Sequence, residues 1–113
     1  MTEELAQRSM EIIMHAGDAR TVCMKALDAI KAADFESARK YMVEATSEIN
    51  KAHGVHTEFL QNSMENEEDE YTILFAHAQD TLMTIISEIN VTNKMIEIFE
   101  VYDSRMKKIE EGK

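Results

Sequence analysis

The sequence predicts an all-α fold, an antiparallel bundle of three long helices in a single domain over residues 1–113. Three observations carry this prediction. The 113 residues include no Pro and three Gly, so the two strongest interrupters of helix are almost missing. The chain is rich in Ala, Met, Glu, Lys and Ile and is 44% hydrophobic, which suits helix and one modest core. Apolar residues recur at alternating steps of three and four, the period of one helical face.

The first helix is expected over about residues 3–31, with the stripe Leu5, Ser9, Ile12, Ala16, Ala19, Cys23, Ala26 and Ile30. Ala16, Gly17 and Ala19 at its middle are small enough for another helix to approach closely. Gly17 costs roughly 1 kcal/mol against Ala inside a helix, so a packing reason is expected for it. Asp34 is a good N-cap for a second helix over about residues 35–61, with Ser37 in its first turn. That helix carries Phe35, Ala38, Met42, Ala45, Ile49, Ala52, His56, Phe59 and Ser63. The polar, acidic stretch Gln61 to Asp69 reads as the one clear loop.

The third helix is expected over about residues 70–109 and shows two adjacent stripes. The core stripe is Phe75, Ala78, Leu82, Ile85, Ile89, Thr92, Ile96 and Phe99, drifting to Tyr102, Met106 and Ile109. Beside it run Ile73, His77, Asp80, Thr84, Ser87, Val91, Met95, Ile98 and Tyr102, polar in the first half and apolar in the second. Two seams are more apolar surface than two partner helices comfortably cover. Self-association through the third helix is therefore expected.

A formal net charge of −10 argues against nucleic acid and anionic membranes, both of which need a basic face. It suits a partner with a basic docking face, and equally a plain solvated surface. No apolar run is long enough to span a membrane. The start, Met1-Thr2-Glu3-Glu4, lacks the basic-then-apolar pattern of a signal peptide. The lone Cys23 reads as a small core residue in a reducing compartment. Together these features predict a cytoplasmic domain.

Chemistry centres on His77-Ala78-Gln79-Asp80, which sets an imidazole and a carboxylate three apart on one helical face. A bland reading is a helix-start histidine bonded to a neighbour, with Asp80 as an orienting partner, a metal ligand or a solvated charge. His53 and His56, with Glu48 and Glu58 nearby, suggest a metal pair, but their place on or beside the apolar stripe favours packing. His15 has no motif around it. The sequence holds no Gly-rich phosphate loop, Ser-His-Asp order, paired Cys or HExxH. Histidine is left as the nucleophile with a coherent setting. A neutral imidazole, with a reference pKa of about 6.5, presents a ring nitrogen that can attack phosphorus.

Three segments resemble one known family: His15-Ala16-Gly17-Asp18-Ala19-Arg20, Ala32-Ala33-Asp34-Phe35-Glu36-Ser37-Ala38 and, most specifically, His77-Ala78-Gln79-Asp80-Thr81-Leu82-Met83-Thr84. The chain is similar to the enzyme IIA component of the lactose/cellobiose (N,N'-diacetylchitobiose) class of the bacterial sugar phosphotransferase system. The resemblance implies a homotrimer of three-helix protomers assembled through the third helix. It implies that His77 accepts a phosphoryl group from the histidine-containing phosphocarrier protein and passes it to a cysteine of enzyme IIB. It places Gln79 at the site rim as a donor to phosphate oxygens. It also matches Asp80 to a metal-linked aspartate at the threefold axis, with one magnesium ion per trimer. Many members carry a second histidine where this chain has Thr81, which leaves any second-histidine role in doubt. The implied cargo is a β-linked disaccharide such as cellobiose, lactose or chitobiose, and the sequence does not choose among them. Two rival readings remain at this stage, a non-catalytic helical adaptor and a regulatory paralogue.

Overall fold

A computed structural model describes residues 3–65 and 72–112. It contains three helices, α1 (Glu3–Lys31), α2 (Phe35–Glu65) and α3 (Ile73–Glu111). Cross-helix contacts fix their directions. Arg8 meets Glu58 and His15 meets Glu48, so α1 and α2 run antiparallel. Arg20 meets Glu88 and Cys23 meets Thr92, so α1 and α3 run parallel. Arg39 pairs with Glu100 while His56 meets Gln79, which makes α2 and α3 antiparallel. The result is an up-down-up rod with extents of 71 × 19 × 18 Å.

The turn between α1 and α2 explains the abrupt reversal. Asp34 N–H donates to the Ala29 carbonyl and Ala33 N–H to the Ile30 carbonyl, both at 2.9 Å. This is the paired closure in which the residue after a helix adopts a left-handed conformation. Ala33 does so, at φ 57°, although its Cβ makes that conformation cost about 1 kcal/mol. Asp34 then caps α2, its Oδ1 accepting from Ser37 N–H at 3.1 Å. Hydrogen bonding from the Ser37 side chain, and after it from the Ser37 N–H, holds the carboxyl below its ordinary range, because the ionised form accepts best.

The core follows the expected stripes. Leu5, Ser9, Ile12, Ala16, Ala19, Cys23 and Ala26 of α1 are buried, with Val22 beside them. Ala38, Met42, Ala45, Ile49, Ala52 and His56 of α2 face them, as do Phe75, Ala78, Leu82, Ile85, Ile89, Thr92 and Ile96 of α3. Each fully covered Leu or Ile contributes roughly 1.5–3 kcal/mol of burial. Cys23 is a core thiol whose Sγ donates to Thr92 Oγ1 at 3.2 Å, and Thr92 in turn donates to the Glu88 carbonyl.

Several expectations need correction. The second helix does not stop near 61 but continues to Glu65, so Gln61–Glu65 is helix; residues 66–69 of the expected loop lie outside the described residues. Gln, Met and Glu are adequate helix formers, so a polar stretch need not end a helix. The third helix begins at Ile73, after the Thr72 cap, and ends at Glu111. Its core stripe stops at Ile96: Phe99, Tyr102, Met106 and Ile109 are half or more exposed, because the bundle's cover thins toward the α1–α2 turn, near the Arg39–Glu100 pair, while α3 continues. The packing reason expected for Gly17 is absent within the protomer, since a Cβ there would meet nothing within 4 Å.

Candidate functional site

The start of α3 is held by two independent devices. Thr72, in extended backbone geometry, accepts the Phe75 N–H on Oγ1 at 3.1 Å, satisfying one of the unpaired donors of the first turn. Phe75 is itself buried against α2. The His56 ring stacks on it at 5.6 Å between centroids and an 8° tilt, and Phe59 packs against it at 4.9 Å. Across the same contact His56 Nε2 lies 2.8 Å from Gln79 Oε1. An amide oxygen only accepts, so Nε2 carries the proton.

On this fixed turn His77 and Asp80 are both exposed, side by side on the outward flank of α3. Thr81 Oγ1 donates to the His77 carbonyl at 2.8 Å, so the residue in the place of a second histidine is engaged with its own helix. Gln79 is half-buried and turned toward α2. The two-residue step from His77 carries it round to the other side of the helix. His77 and Asp80 thus share one flank, while Gln79 belongs to the contact with α2.

Of the two α2 histidines only His56 packs, buried in the aromatic contact; His53 is exposed and lines a groove with Asn50, Asn90 and Asn93. Among the described residues, the histidine–carboxylate cluster with metal-ligand spacing is instead His15, Asp18 and Glu48. Sequence reasoning passed over it because Glu48 comes from another helix. The pairing of His15 with Asp18 three residues on was its one visible signal.

Asp80 offers a hard oxygen donor of the kind magnesium takes, and its exposure lets carboxylates of other copies join it. A single carboxylate is not a metal site, so such a donor set would require several copies of the chain.

Residues 7–100 match the family described as "PTS system, Lactose/Cellobiose specific IIA subunit". The chain belongs to this family. It is 40% identical over 100 residues to the lichenan-specific phosphotransferase enzyme IIA component of Bacillus subtilis, covering 88% of this chain and 91% of that protein. The crystal structure of the cellobiose-specific enzyme IIA from Bacillus anthracis superposes with a TM-score of 0.85 at 31% identity, covering 92% of this chain and 95% of that one. The IIA(Chitobiose) chain, in its complex with HPr from Escherichia coli, superposes with a TM-score of 0.79 at 28% identity, covering 90% and 99%. This IIA chain is accordingly a phosphotransferase component of sugar transport rather than a complete enzyme. None of its described helices is long and apolar enough to cross a membrane.

Proposed function

We propose that this chain is a cytoplasmic phosphoryl carrier that uses His77 to relay phosphate toward a β-linked disaccharide. The observation that carries the reading is the pairing of exposed His77 and Asp80 on a rigidly capped turn of α3. A ring nitrogen of His77 attacks the phosphorus of a phosphohistidine on the histidine-containing phosphocarrier protein. The new N–P bond forms as the donor's N–P bond breaks, and the donor imidazole leaves with the electron pair. Each ring keeps the proton on its other nitrogen, so no net proton moves. In the second transfer a cysteine thiolate of enzyme IIB attacks the same phosphorus and His77 is restored. Little covalent machinery is needed, because positioning and charge screening dominate phosphoryl transfer. Gln79, expected at the site rim as a donor to phosphoryl oxygens, is instead turned to His56 on the α2 side, so its role in this reading is to brace the turn that carries His77.

The same reading makes the chain a homotrimer built through α3. Val91, Ile98 and Tyr102 continue the His77 flank and are each about half exposed. A groove lined by Met24, Leu27, Val91 and Met95 runs between α1 and α3 alongside them. Three Asp80 carboxylates brought together repel strongly unless a cation compensates. A magnesium ion on them would supply that neutralisation. Asp80→Leu therefore preserves or strengthens the trimer, whereas a stable monomer at micromolar concentration in light scattering contradicts it. For the chemistry, the chain incubated with phosphoenolpyruvate and the upstream components takes up one phosphate per protomer and yields it to enzyme IIB. Uptake by His77→Ala would overturn the assignment.

A further inference from the structure

We infer that His15, Asp18 and Glu48 form a binding site for a divalent transition-metal ion of the zinc type, clipping α1 to α2. The donor atoms of the three side chains all lie within 4.8 Å of one another, close enough to close on a single ion. His15 and Asp18 stand three apart on one face of α1 and Glu48 reaches them from α2, so the ligands come from two rigid helices.

The imidazole is the second, independent observation. The His15 side chain is 30% exposed, yet its Nδ1 atom is shielded from solvent and makes no hydrogen bond. It lies 3.5 Å from Glu48 Oε2, near enough for attraction yet outside hydrogen-bond geometry. A buried ring nitrogen without a partner is costly, and a metal bond would satisfy it. Lys51 Nζ holds the other oxygen of Glu48 at 2.9 Å, leaving Oε2 on the His15 side for an ion. The mixed set of one imidazole and two carboxylates suits zinc, while magnesium and calcium favour all-oxygen sites. Three protein ligands leave one position of a tetrahedron for water.

The test is a calorimetric titration of the metal-stripped full chain with Zn2+, in excess Mg2+ to occupy all-oxygen sites. The expected result is one Zn2+ per protomer, a Tm raised by several degrees, and visible absorption typical of four-coordinate cobalt when Co2+ replaces Zn2+. His15→Gln and Asp18→Asn each weaken binding by at least ~10-fold, the scale on which even the outer partners of metal ligands act. Asp18 is exposed, so its variant keeps the native circular dichroism and separates ligand loss from misfolding. His53→Gln leaves binding unchanged. The inference is overturned if the wild-type chain binds Zn2+ no better than these two variants. It is equally overturned if binding is one per trimer and is lost in Asp80→Asn rather than in His15→Gln.

Discussion

Two flanks of the same helix have opposite fates. On one, Phe75, Ala78, Leu82, Ile85, Ile89, Thr92 and Ile96 disappear under α1 and α2. On the other, His77, Asp80, Thr84 and Ser87 stay exposed and give way to half-exposed Val91 and Ile98. Both flanks follow three/four spacing, so periodicity alone does not separate them. They differ in composition: the covered flank is apolar from its first turn, whereas the open flank, after Ile73, carries titratable and polar groups over its first half. A flank that is polar at one end and apolar at the other is not a second internal core. Here it joins His77, the proposed phosphoryl acceptor, to the surface on which copies are proposed to meet.

The largest test of this contrast is truncation on each flank. Leu82→Ala removes a fully buried side chain and should cost about 2–5 kcal/mol. Its urea midpoint falls by the same amount at every protein concentration. Val91→Ala on the open flank should cost less, and its effect should grow on dilution, because it acts on association between copies. Equal, concentration-independent losses would erase the distinction.

A smaller change loosens both flanks at their common start. Thr72→Ala removes the acceptor for Phe75 N–H and should cost about 1 kcal/mol, with faster hydrogen exchange at the Phe75 amide. His77 remains in place but on a less fixed turn, so the rate of phosphoryl uptake falls while its stoichiometry does not.

Acid sharpens the comparison from the scaffold side. The Asp34 carboxyl is held below its ordinary value of 3.8 by the hydrogen bonds from Ser37. A carboxyl lowered in the folded state contributes stability above its unfolded value and loses it as pH falls through the folded one. Wild-type Tm should therefore drop below about pH 4 by more than that of Asp34→Asn. Asparagine caps equally well and does not titrate. This part of the acid response belongs to the α1–α2 turn and not to the open flank of α3.

Much of the bundle was legible in the sequence. The stripe of α1, that of α2 as far as Phe59, and the first seven positions of the α3 core stripe face inward as their spacing requires, and Asp34 caps α2 as its residue type suggests; the Ser63 side chain lies outside the described residues. The misreadings share a cause: local composition does not say which other helix is present. Phe99 to Ile109 continue the right period but are covered only in part, half or more of each staying exposed. Gln61–Glu65 look like loop but extend a helix already stabilised by packing upstream. At the candidate site, the shared exposed flank of His77 and Asp80 was legible because they are neighbours on one helix, and the burial of His56 because it falls on an apolar stripe. The His56–Gln79 bond and the approach of Glu48 to His15 were not, since each joins residues from different helices.

The most direct measurement is mass-spectrometric mapping of the phosphorylated histidine after reaction with phosphoenolpyruvate and the upstream carrier. The chain offers His15, His53, His56 and His77. The account predicts modification at His77, the histidine on the open flank beside Asp80, and none in His77→Gln. Phosphate on His53, or stoichiometric uptake by His77→Gln, would contradict it.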